Sequence, residues 1–272
     1  MRARVLTALA LIPPVLAAVF CTSPWPILAL LTLIGLIGIG EIHRLTNQKL
    51  ALIGFPFLVL VVLGVSQQFQ AIQRHIGPPY GGVALAGVIL FAFAVACVFA
   101  VPAKSNKVHP LSFGFGGWIV GPLAALFALH QSTLASESWL FASPVLLAVV
   151  PLWAGDTAAI FAGKAWGKHK LAPTISPKKT VEGSVANLIA CMLAAWGLGH
   201  WIGIPLAQSI ACGAVAGTFG QAGDLFESWV KRRADLKDSG TLLPGHGGIM
   251  DRIDSILFTA PFVALVLLLW KN

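Results

Sequence analysis

The sequence predicts an all-α integral membrane protein of about nine transmembrane helices, with its N-terminus in the cytoplasm. Three observations predict it. The first is composition: 57% of the 272 residues are hydrophobic and only 10% charged, with a mean hydropathy of +0.84. Soluble domains carry about 25% charged residues, so a water-soluble fold is close to excluded. The second is the spacing of apolar runs, at 5–21, 26–41, 50–66, 82–101, 112–130, 139–157, 184–200, 203–221 and 254–270. Each approaches the roughly 20 residues that cross a ~30 Å hydrocarbon core. The third is the distribution of basic residues. With nine spans and a cytoplasmic N-terminus, all of them except Arg74 and Lys271 fall in the inner segments 1–4, 42–49, 102–111, 158–183 and 222–253. That asymmetry is what the positive-inside rule requires.

Taken in order, the first run follows Arg2 and Arg4, the arrangement of a signal-peptide n-region. No small-x-small cleavage site precedes a soluble domain, so it is read as a retained span. The next four runs complete an N-terminal region of about five helices, 1–137. Arg44, Lys49, Lys104 and Lys107 in its inner loops serve as topology signals and attract anionic headgroups. The C-terminal region, 138–272, carries the two long cytoplasmic loops 158–183 and 222–253, where acids and glycines join the cations. Strands are not expected, because these runs do not alternate and a lipid-exposed sheet edge leaves backbone groups unpaired. Trp25, Trp139, Trp201 and Trp270 stand at run ends and read as interfacial anchors. Cys21, Cys97, Cys191 and Cys212 lie in or beside apolar runs without CxxC spacing, so neither a disulfide framework nor a zinc site is indicated. No internal repeat of the transporter kind is visible.

The chemistry concentrates between Ser228 and Asp254, where cations, four carboxylates and a glycine-rich turn precede the last apolar run. If the eighth helix continues past Gly223, then Asp224, Ser228 and Lys231 share one face. A carboxylate at a membrane helix end usually faces protein or a polar cavity; an ion pair with a nearby lysine or arginine would account for Asp224 equally well. In Pro244-Gly245-His246-Gly247-Gly248 the glycines let backbone N–H groups approach a phosphate, or they simply form a turn capped by Asp251 and Asp254. Together the pieces say more. Asp224 and Asp251 come from different helix ends and flank Lys231, Arg232, Arg233 and Lys237. Mg²⁺ takes one or two carboxylates and completes its shell with water and phosphate oxygens, and the cations would neutralise the remaining phosphate charge. The earlier loop supplies Asp156 at the end of the sixth run, then Ser176, Lys178, Lys179 and Thr180 before Glu182-Gly183. That set also suits a polyphosphate, although no Walker A pattern occurs.

The stretch SWVKRRADLKDSGTLLPGHGGIMDRID, with WAGDTAAIFAGK and SPKKTVEGS upstream, resembles the phosphatidate cytidylyltransferase (CDP-diacylglycerol synthase) family. The specific likeness covers roughly 153–184 and 218–254. It implies the reaction of CTP with phosphatidic acid to give CDP-diacylglycerol and pyrophosphate at the cytoplasmic face of a bacterial inner membrane. It also implies Mg²⁺ on Asp224 and Asp251, a K⁺ beside it, and a homodimer. Lys231, Lys237, Arg232 and Arg252 would then stabilise the triphosphate and the leaving pyrophosphate. His246 either hydrogen-bonds a phosphate or shapes the turn. Ser176, Lys178, Lys179, Thr180 and Ser228 would close the site with Gly245, Gly247 and Gly248, and Asp156 would orient a cation or a lysine. No nucleic-acid partner is expected. Two other readings remain: a CTP-dependent polyprenol or dolichol-type lipid kinase, and a transporter for an anionic solute. The kinase would release CDP. The transporter would need polar residues near mid-span, whereas here they gather at one face.

Overall fold

The structure, a computed structural model, describes residues 12–21, 23–46, 91, 95–99, 114–134, 143–242 and 247–269. Seven helices organise them: α1 (Pro24–Thr46), α2 (Gly114–Leu134), α3 (Val145–Trp166), α4 (Val181–Ile202), α5 (Leu206–Val215), α6 (Gln221–Arg233) and α7 (Met250–Leu269). Residues 12–20 are helical as well. Among the described residues, three helices are long and apolar enough to cross a membrane, namely α1, α3 and α4. They fall on the expected spans 26–41, 139–157 and 184–200, and α2, α5 and α7 fall on 112–130, 203–221 and 254–270. The run 50–66 and most of 82–101 lie outside the described residues.

The helices pack through the positions that sequence spacing sets. In α1 the buried residues Ile27, Leu31, Gly35, Gly38, Ile39, Ile42 and Leu45 recur at intervals of three and four, one stripe of a helix. That stripe meets α2, which in turn packs on α7. At the centre, Phe226 of α6 lies edge-on to Trp118 of α2 (4.8 Å between centroids) and 5.2 Å from Phe258 of α7. Aromatic side chains remain exposed on the outer faces, among them Trp25, Trp153, Trp166, Trp196 and Trp201. A bilayer would cover such residues.

α4 approaches α3 and α5 closely because small residues stand at the crossings. A Cβ on Gly213 would meet the Cys191 carbonyl oxygen at 2.7 Å, and one on Gly155 would meet Asn187 Nδ2 at 2.8 Å. Small residues that admit a neighbouring backbone are a usual device of membrane helices. α5 runs into α6 through one π turn, Ala216–Gly220, so the helical path continues from Leu206 to Arg233. Wide turns of this kind often adjoin functional sites.

Three expectations change. The loop 158–183 is helical as far as Trp166, and the loop 222–253 is helical from its start to Arg233. Hydropathy marks where apolar side chains stop, but backbone hydrogen bonding needs none and carries the helix onward. A strand pair also exists: β1 (Lys170–Ala172) and β2 (Ser176–Thr180) form an antiparallel hairpin, with Lys170 opposite Thr180. It lies outside the apolar runs, so the argument against lipid-exposed sheet edges does not reach it.

Candidate active site

Local structure first sets the hairpin against α4. Thr180 is the N-cap of α4, its Oγ1 accepting from the Gly183 N–H at 3.2 Å. His169 is tied to Glu182 through its ring Nδ1 (2.7 Å) and its backbone N–H. This clamp holds β2 so that Lys179 Nζ reaches Asp224 Oδ2 at 2.5 Å. Asp224 belongs to the first turn of α6 and also receives the Ser228 hydroxyl, at 3.4 Å. The expected shared face of Asp224 and Ser228 is therefore present.

Asp156 lies on α3, exposed, and accepts from Asn187 Nδ2 at 3.3 Å. The amide of Asn187 has its orientation dictated, because Gln221 Nε2 donates to its oxygen at 3.2 Å. Asp156 and Asp254 both sit within electrostatic reach of Asp224 and Lys179. Three acids from α3, α6 and α7 thus surround one lysine from the hairpin.

Lys231 takes a different partner from the one its spacing suggested. It turns from Asp224 towards Glu227, one turn earlier on α6, and towards Asp251, whose Oδ1 it contacts at 2.6 Å. Glu227 is fully buried. Burial pushes its carboxyl up to about 8, against the pull of the Lys231 ammonium. Burial alone would raise Asp251 too, yet its hydrogen bonds from Lys231 and the Gly248 N–H hold it below the usual carboxylate range. Burial works against the Lys231 charge, but Glu227 and Asp251 together raise its pKa.

Asp251 opens α7 and is densely hydrogen-bonded. Its Oδ2 accepts from the Gly248 N–H (2.8 Å), the Ser239 N–H (3.0 Å) and the Ser239 hydroxyl (3.0 Å). Gly247 adopts φ +79°, a left-handed conformation that glycine takes at no steric cost, and the adjoining N–H of Gly248 then faces the carboxylate. The α6 end is closed by Asp235 at φ 55°, with the Leu236 N–H returning to the Lys231 carbonyl at 2.9 Å.

Other expected residues sit farther out. Lys178, Arg232, Lys237 and Arg252 are exposed, and Ser176 opens β2 half-buried. Arg232 Nη1 donates to the Leu236 carbonyl at 2.9 Å. The Thr180 hydroxyl is engaged in capping α4. His246 and Gly245 lie outside the described residues. Two acids went unread as site residues, Glu227 and Glu41. Glu227 stands four residues before Lys231, an ion-pair spacing, and Glu41 is an acid at the end of an apolar run, a functional signal by default.

The cytidylyltransferase family matches residues 2–270 of the chain. The chain belongs to that family. Among its relatives, the phosphatidate cytidylyltransferase of Bacillus subtilis is 32% identical over 252 residues, covering 90% of each protein. That of Staphylococcus aureus (strain COL) is 31% identical over 243 residues, covering 89% of this chain and 90% of the relative. That of Haemophilus influenzae is 29% identical and covers 96% of both. For a cytidylyltransferase the charge balance of the site has a plain meaning. Among the described residues, Asp156, Asp224, Asp251 and Asp254 gather with Lys179 and Lys231. An acidic excess repels phosphate unless a further cation stands between. Among the described residues no three His, Cys, Asp or Glu side chains gather closely enough to hold a metal ion unaided.

Proposed function

We infer that the chain is a phosphatidate cytidylyltransferase, joining CTP to phosphatidic acid to yield CDP-diacylglycerol and pyrophosphate. One observation carries the mechanistic reading: three separate chain segments, β2, α6 and α7, bring together two lysine–aspartate pairs, Lys179–Asp224 and Lys231–Asp251. The basic-residue asymmetry supports a cytoplasmic N-terminus with both pairs on that side, and the bacterial relatives support an inner membrane.

The donor set fits a hard divalent cation. It consists of carboxylate oxygens, and Mg²⁺ binds through one or two of them plus substrate phosphates. Among the described residues, Asp224 engages Lys179 and the distant Ser228 hydroxyl, and Asp251 Oδ1 accepts from Lys231. An ionised carboxylate offers about four lone-pair sites, so both retain capacity. Asp224 and Asp251 would hold Mg²⁺, which neutralises phosphate charge and draws nucleophile and electrophile together when bound. A K⁺ is the second cation proposed here, and Asp254 and Asp156 would supply carboxylate charge to balance it.

The chain's own residues then do the following. Lys179 is released from Asp224 to meet a triphosphate oxygen, since its ion pair is the more open of the two. Lys231 stays, neutralising Asp251 and hydrogen-bonding Glu227 from within. Lys178, Arg232, Lys237 and Arg252, exposed around the site, screen the triphosphate and the departing pyrophosphate. Ser228 and the backbone at Gly247 and Gly248 would border the bound substrates, with Ser176 and Asp156 towards the hairpin. A phosphate oxygen of phosphatidic acid attacks the α-phosphorus of CTP, and the bond to the β-phosphate oxygen breaks in line. No general base is needed, because a phosphomonoester is already largely ionised at neutral pH. Positioning and charge compensation supply the catalysis. The acyl chains stay among the helices, and a homodimer is the proposed assembly.

The deciding experiment supplies phosphatidic acid and labelled CTP to the detergent-purified protein, with and without Mg²⁺. Magnesium-dependent CDP-diacylglycerol and pyrophosphate are expected. Release of CDP with a phosphorylated lipid would replace this reading with a lipid kinase.

A further inference from the structure

The N-terminal helices contribute one buried acid to the site. Glu41, near the end of α1, is 4% exposed. Its Oε1 accepts the Ile249 N–H at 2.9 Å, and its Oε2 accepts the Met250 N–H at 3.0 Å and the Ser239 hydroxyl at 2.7 Å. The two backbone donors belong to the start of α7, where N–H groups lack intrahelical partners and the helix dipole favours negative charge. Glu41 is thus a helix cap delivered from another helix, 208 and 209 residues earlier in the chain.

The same carboxylate explains two glycines. A Cβ on Gly240 would stand 2.6 Å from Glu41 Oε1, and one on Gly248 would collide with both Glu41 oxygens and with Ser239 Oγ. Neither glycine adopts a positive φ, so backbone freedom is not their reason. They are small because Glu41 occupies the space. Ser239 is shared: its hydroxyl lies between Glu41 and Asp251, and its N–H is held by Asp251. Gly248 gives its N–H to Asp251 while the next two residues give theirs to Glu41.

We propose that Glu41 is a positioning residue for nucleotidyl transfer, gripping Ser239, Ile249 and Met250 from α1 so that the Asp251 carboxylate is presented in one orientation. The proposal rests on Asp251 belonging to the active site. Its reach is local: Glu41 touches Ser239, Ile249 and Met250, and acts on Asp251 through them.

The test compares Glu41→Gln with wild type in the full-length protein, using Ile42→Val in the adjacent core of α1 as a control. An amide keeps the size of the carboxylate but brings an N–H towards donors. Loss of an outer-shell partner typically costs 10–100-fold in metal affinity or activity, so half-maximal activation should need about tenfold more Mg²⁺. Apparent KM for phosphatidic acid should stay near wild type, and Ile42→Val should leave the Mg²⁺ midpoint in place. A loss of active fraction would lower kcat without moving that midpoint. In the substrate-free protein, hydrogen exchange at residues 247–251 should accelerate while α3 and α4 are unchanged. If Glu41→Gln unfolds, Gly240→Ala takes its place and should produce the same two shifts. An unmoved Mg²⁺ midpoint or unchanged exchange at 247–251 in a folded variant overturns the proposal. Failure of both variants to fold also overturns it, because Glu41 would then support the whole bundle. Wild type that makes no CDP-diacylglycerol would instead sink the transferase reading, leaving the exchange result to report on the grip alone.

Discussion

The two lysine–aspartate pairs flanking α6 look alike in chemistry and differ in setting. Lys179–Asp224 joins a hairpin to a helix start, with side chains 24% and 37% exposed; Lys231–Asp251 is 11% and 6% exposed and adjoins the buried Glu227. Solvent screens the first, and exposed pairs contribute roughly 0–1 kcal/mol. It can open at small cost when an anion or cation arrives. The second has lost its water, so removing either partner strands a charge in a poor medium. One pair is suited to exchange partners during turnover, the other to hold the frame in which turnover occurs.

The sharpest way to break that comparison is Lys231→Met. It leaves Asp251 without its cation and Glu227 without its donor, and breaking a buried pair costs about 3–5 kcal/mol. Thermal unfolding in detergent should fall well below wild type; an unchanged midpoint would mean the pair contributes no support. Next comes Asp224→Asn, for which turnover should fall at least ~10²-fold, the scale of losing electrostatic stabilisation at a transition state. Its unfolding midpoint should hardly move, and a large drop would place Asp224 with the frame. Lys179→Ala should be milder, on the order of tenfold in turnover with apparent KM for CTP raised, as for one removed charge-assisted contact. Equal kcat and KM in that variant would show that Lys179 never leaves Asp224.

The smallest expected effect is in pH. Glu227 has a folded pKa of about 8 against an ordinary 4.5. Below 4.5 both folded and unfolded states hold the proton, and the group costs nothing. As pH rises towards 8, the unfolded state releases its proton while the folded one keeps it, so stability declines across that window. Glu227→Gln should flatten the decline of the unfolding midpoint between pH 5 and 8. An identical slope in both proteins would mean that Lys231 keeps Glu227 ionised throughout.

Much of this was legible along the chain. Apolar run length marks α1, α3 and α4, and the basic residues within Ser228–Asp254 mark one of the places where cations and acids meet. The shared face of Asp224 and Ser228 follows once the eighth helix continues past Gly223, as it does here. Lys231 was misplaced because helical spacing pairs it with Asp224 and Glu227 alike, and only packing against α7 brings in Asp251. Thr180 was read as a substrate contact because a hydroxyl near two lysines suits phosphate; the same hydroxyl suits a helix cap three residues before Gly183.

What the sequence determined by itself was the solvent and the chemistry: hydrocarbon around the helices, acids and cations at one face, and a family signature that names the reaction class. Those depend on composition and local spacing, which are properties of neighbours in the chain. Which acid meets which cation was decided by the tertiary structure alone. Lys179 with Asp224, Lys231 with Asp251 and Glu41 with the start of α7 are contacts across tens to hundreds of residues. Their geometry comes from how glycine-lined helices cross, and no periodicity encodes that.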